Sequence, residues 1–100
     1  MVGFELYRGG VLLGTIDPMD DDFPWHLGRF DPGPAFDDVA SLFELEATLL
    51  SGGGAGWDER AWRKVREEID GPGIRLVETD TGRTVERPLM HIQQRDAWWR

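Results

Sequence analysis

Three consecutive aspartates, Asp20, Asp21 and Asp22, run shortly before His26, one of only two histidines in the chain; the other is His91. Carboxylates beside an imidazole support two kinds of chemistry. A carboxylate-oriented histidine can act as a general base. Neutral imidazole together with carboxylate oxygens can ligate a divalent ion. His26 has the denser acidic company, with Asp22 on one side and Asp31 on the other. His26, His91, Asp22 and Asp31 are therefore the catalytic candidates, and Asp20, Asp21, Asp22 and His26 are the metal candidates.

The spacing completes neither chemistry. A calcium loop of the EF-hand type needs glycine at its sixth position and glutamate at its twelfth. Counting from Asp17 puts Asp22 and Gly28 there, and counting from Asp20 puts Trp25 and Asp31 there. Zinc needs three or four ligands, and no third ligand is spaced to join the histidines. Ser41 and Ser51 lack the G-x-S-x-G context of a hydrolase nucleophile. The glycine-rich run SGGGAG, residues 51–56, has no following lysine to meet a phosphate and leaves a helix instead of entering one, so it reads as a joint. The sequence thus implies no cofactor and no defined metal site.

The aromatic residues suggest recognition. Trp98 and Trp99 are adjacent, so in a strand they point to opposite faces. One can enter the core while the other, beside Arg95 and Arg100, covers a second surface; aromatic and arginine side chains dominate binding hot spots. Trp25 and Phe30 lie in a proline-stiffened stretch. Trp25, Phe30, Arg95, Trp98, Trp99 and Arg100 are accordingly the interaction candidates, although most of the five tryptophans are expected to build core.

Charge narrows the partners. The net charge is −8, and it is unevenly spread: residues 1–50 carry ten acids against Arg8 and Arg29, while residues 51–100 balance nine acids with nine bases. Such a field repels nucleic-acid backbones and favours either solubility or a basic protein partner. The absence of cysteine excludes a disulfide scaffold and suits the cytoplasm. No leader or apolar spanning run is visible, so no membrane partner is expected.

The elements that must position these residues follow from hydrophobic periodicity. Val2, Phe4 and Leu6 alternate as a strand, Gly9-Gly10 suits a tight turn, and Val11 to Ile16 form a second strand that Pro18 is expected to end. Residues 20–36 read as an acidic turn, a short extended piece around Trp25 to Phe30, and an approach to a helix. Phe36, Val39, Phe43, Ala47 and Leu50 give one helical stripe over 34–50. A second helix is predicted over 59–70, capped by Asp58, with Trp57 and Trp62 as a hydrophobic staple. Strands return after Gly73. The fold expected is α+β: an antiparallel twisted sheet of four or five strands, two helices packed mainly on one face, order β-β-(β)-α-α-β-β-β, in a single domain over residues 1–100. An edge strand near Pro88, or the terminal tryptophan strand, offers a route to a homodimer.

The combination DFPWHLGRFDPGPAF…LF with a C-terminal LMHI…AWWR resembles small bacterial proteins without an assigned activity. The resemblance implies a compact bacterial domain over most of the chain and brings no catalytic residues. The functional expectation is a non-enzymatic protein-interaction or regulatory module, of immunity or inhibitor type in one version. The alternative is a small enzyme or ligand-binding domain using a histidine–carboxylate pair, with or without a divalent metal. A concave pocket joining histidine, acid and tryptophan would favour the alternative.

Overall fold

A computed structural model describes residues 3–52 and 58–100. Gly9 and Gly10 have φ values of 58° and 80°, the left-handed conformation that a two-residue hairpin turn requires. They join β1 (Phe4–Arg8) to β2 (Val11–Asp22). β2 does not stop at Pro18. Its pairing with β3 (Trp25–Pro32) slips between Pro18 and Asp20, and this irregularity lets the strand continue past a residue that has no N–H to donate. Asp20, Asp21 and Asp22 are consequently strand residues opposite Leu27, His26 and Trp25, not a solvated turn. The reversal falls on Phe23 and Pro24, and the Phe23 side chain stands 96% exposed at the hairpin tip.

The helix expected over 34–50 is divided. Pro34–Asp38 form a 3-10 turn, Val39 leaves helical geometry at φ −125°, and α1 runs from Ala40 to Ser51. The apolar spacing survives the break. Phe36 packs against Phe30 and Phe43 at ring distances of 4.8 and 5.7 Å, and Val39, Phe43 and Ala47 are buried. α2 occupies Glu59–Asp70, and its N-cap Asp58 accepts a 3.0 Å hydrogen bond from the Ala61 N–H. The joint at residues 53–56, and with it the Trp57–Trp62 staple, lies outside the described residues.

Four strands follow: β4 (Ile74–Glu78), β5 (Thr84–Glu86), β6 (His91–Gln93) and β7 (Asp96–Trp99). Among the described residues, seven strands form one antiparallel, strongly curled half-barrel in the order β5-β4-β1-β2-β3-β7-β6. This corrects the expectation of a simple twisted sheet with four or five strands. β5 and β6 have three residues each, too short to announce themselves by alternation. The curl has local causes. Bulges interrupt the ladder at Leu6/Tyr7 and at Pro18/Asp20. On the concave face, Gly14 and Gly28 leave room for their neighbours: a Cβ on Gly14 would fall 2.7 Å from the Phe30 ring, and one on Gly28 would fall 2.7 Å from Ile16 Cγ2.

Leu6, Ile16, Phe30 and Leu76 from the sheet join Val39, Phe43, Val65 and Ile69 in one buried cluster. α1 lies along the edge strand β6 and meets both of its faces, with Glu46 reaching His91 while Phe43 packs beside Ile92. The buried apolar residues of both helices pack on the concave face, and Glu46 of α1 reaches round the edge to His91. Among the described residues, no helix is long and apolar enough to cross a membrane.

Candidate functional site

Strand register assigns the inner surface of the half-barrel residue by residue. Directly opposed residues share a face, and successive residues alternate. Phe4 is opposite both Ile16 and Glu78, Leu76 is opposite Val85, and His26 is opposite both Asp21 and Trp99. These residues all face the concavity. Toward Leu6 and Leu76 the helices fill it. Toward Phe4 and His26 it stays open, as a cleft of about 430 Å³ lined by Phe4, Pro18, Asp21, His26, Leu27, Glu78, Val85, Trp99 and Arg100.

The floor of the cleft is aromatic. Trp99 is only 4% exposed, meets Phe4 edge-on at 5.7 Å, and lies 5.6 Å from the His26 ring. Gly28 is needed beneath it, because a Cβ there would come within 3.3 Å of the Trp99 ring. The rim is polar. His26 Nδ1–H donates to Asp21 Oδ1 at 2.8 Å, which orients the imidazole and leaves Nε2 as its free nitrogen. Glu78 Oε1 accepts from the Thr81 hydroxyl at 3.1 Å. Arg100 contributes to the lining, yet its guanidinium sits 4.8 Å over the Trp25 ring, on the sheet's other face. Among the described residues, the polar rim thus consists of two carboxylates and one histidine.

A second polar cluster is buried. Glu46, fully enclosed, accepts His91 Nδ1–H at 2.9 Å on each oxygen and Trp62 Nε1–H at 2.7 Å. Arg66 approaches the same carboxylate at 3.7 Å, grips Asp70 through two bonds of 2.9 and 2.7 Å, and donates to the Met90 carbonyl at 2.6 Å. Trp98 stacks on His91 at 5.3 Å and Trp25 adjoins it at 5.5 Å. This network ties α1, α2 and β6 together. Its imidazole is 3% exposed, so a substrate has no approach to it. It is a clamp.

No family model, curated protein or solved structure matches the chain. The geometry therefore carries the functional reading.

The structure sorts the sequence candidates. His26 finds its carboxylate in Asp21, rather than in Asp22 or Asp31; Asp31 pairs with Arg95 across an exposed 3.3 Å contact, and Asp20 accepts from the Asp21 N–H. The two histidines do not meet, because His26 shares a face with Trp99 and His91 shares the opposite face with Trp98. Among the described residues, no group of three or more histidine or acidic side chains is arranged to hold a metal ion, so Asp20, Asp21, Asp22 and His26 form no such centre. Phe30, fully buried, and Trp99 are core residues and present no surface to a partner, whereas Trp25 and Trp98 are half-buried around His91. Sequence reading missed Phe4, Glu78 and Val85, which reach the cleft only through the β1–β4–β5 pairing. It also missed Glu46 and Arg66. Their signal was present: each is a charged residue lying on the apolar stripe of its helix.

Proposed function

We propose that this chain is a cytoplasmic binding domain that holds a small organic molecule in the open end of its half-barrel. One observation carries this reading: an aromatic floor, apolar walls and an oriented histidine–carboxylate pair converge in a single concavity of about 430 Å³. That size and that mixture of surfaces suit small-molecule sites. The cytoplasmic assignment is supported by the absence of cysteine.

Binding is favoured over catalysis by the chemistry of the lining. Among the described residues, it includes no serine, threonine, cysteine or lysine side chain that could act as a nucleophile. His26 with Asp21 could activate a water, but the pair is more than half exposed, so solvent would compete for the proton. The test is a small-molecule titration followed by amide and indole NMR signals. Saturable shifts clustered at Phe4, His26, Glu78 and Trp99 are expected; shifts that never cluster there sink the reading.

A second reading, a protein-interaction module for a basic partner, is favoured by a different observation. Phe23 and Met19, 96% and 68% exposed, project beside Asp20, Asp21 and Asp22 on the β2–β3 hairpin. An apolar anchor within an acidic rim is a reasonable docking element. It separates from the first reading cleanly: Phe23→Ser would abolish partner binding and leave the cleft's ligand untouched.

A further inference from the structure

We infer that the cleft takes an organic cation, an ammonium group on an apolar body of a few carbons. The inference rests on the binding reading above and deepens it.

The polar side chains facing the cleft come from three strands: Asp21 from β2, His26 from β3 and Glu78 from β4. The one arginine in the lining, Arg100, is committed to Trp25 on the far side of the sheet. Among the described residues, an anion placed here would meet two carboxylates with no fixed cation to offset them. A neutral ligand would gain burial alone. An ammonium group has acceptors waiting. Asp21 uses one oxygen for His26, Glu78 uses one for Thr81, and each retains its other oxygen. Beneath them the Trp99 and Phe4 rings close the floor with apolar surface. Val85 and Pro18 supply the apolar walls for the remainder of the molecule.

These acceptors are partly exposed, so the preference for positive charge is moderate: about tenfold in affinity, the size expected of one or two partly screened charge contacts.

The experiment titrates the intact protein at pH 7.5 with three probes of equal length: hexylammonium, hexanol and hexanoate. Backbone and indole NMR signals give both location and affinity. Hexylammonium is expected to bind saturably in the cleft, about tenfold tighter than hexanol, with hexanoate weakest. Asp21→Asn and Glu78→Gln, both at the open rim, should each reduce that preference, and the double variant should abolish it while the remaining amide spectrum stays intact. If hexanol or hexanoate binds in the cleft as tightly as hexylammonium, a ligand site exists but the cation assignment is wrong. If all three probes fail to bind there, the binding reading falls and the cation assignment falls with it. Amine-induced shifts spread equally over remote acids such as Asp37 and Asp38 would also overturn it, since that marks general attraction to an acidic surface.

Discussion

Replacing Glu46 by alanine should be among the most damaging single substitutions in this chain, and the structure sets the size of the effect. The carboxylate is completely enclosed and receives N–H groups from His91 and Trp62, with the Arg66 guanidinium 3.7 Å away. Its removal takes the acceptor from both donors and leaves a cavity between α1, α2 and β6. An orphaned buried donor costs about 1–3 kcal/mol, and breaking a buried charged network from one side costs about 3–5 kcal/mol. The first range, applied to the His91 and Trp62 donors that lose their acceptor, is the appropriate one, because Arg66 keeps Asp70 and the Met90 carbonyl and is not left an uncompensated charge. Against a typical total stability of about 5–15 kcal/mol, that is a large fraction. Urea unfolding of the wild type and of Glu46→Gln, Glu46→Ala, Glu46→Leu, His91→Leu and the Glu46→Leu/His91→Leu double variant would measure it by linear extrapolation. Glu46→Gln should lose less, because one amide oxygen can still accept. The double leucine variant should lose less than the sum of its singles, since donor and acceptor leave together. A Glu46→Ala loss below about 1 kcal/mol with an unchanged urea slope would refute the clamp.

Other substitutions probe the remaining parts of the account. Gly28→Ala drives a methyl group toward Ile16 Cγ2, the Asp17 carbonyl and the Trp99 ring at 2.7, 2.9 and 3.3 Å, and should destabilise by about 1–3 kcal/mol in urea unfolding. Asp58→Ala removes the bond to the Ala61 N–H and should cost about 1 kcal/mol by the same measurement. Phe23→Ser touches no packed surface and should shift the thermal midpoint by no more than about 3 °C in a calorimetric scan, despite the size of the side chain removed.

Local chemistry made some elements legible. Helix α2 declared itself through a capping aspartate, a stripe of Trp62, Val65 and Ile69, and a terminating Gly71, and it occupies the range expected. The Gly9-Gly10 turn needed only positive φ at both residues. Pro18 misled because a bulge, which nothing in the neighbouring residues signals, carries the strand onward to Asp22. The helix over 34–50 misled because periodicity records which residues meet the core and is insensitive to one non-helical residue, Val39, between them. The cleft was the least legible feature. Asp21 and His26 are close in sequence, but the acids expected to serve the histidine were Asp22 and Asp31, and adjacency alone left open which of Trp98 and Trp99 turns inward. Phe4, Glu78 and Val85 join them only because β4 pairs with β1 and β5 with β4, and no local pattern encodes that choice of partners.

The open end of the half-barrel as a ligand site is most directly tested by closing it. Val85 lines the cleft from the sheet edge and is 42% exposed, so Val85→Trp can fill the concavity without entering the core. Hexylammonium binding to this variant and to the wild type would be compared by the Trp99 indole and His26 amide shifts, with the rest of the spectrum reporting the fold. The account predicts that the blocked variant keeps its fold and loses saturable binding by at least about tenfold. Undiminished binding to a folded Val85→Trp protein would contradict it.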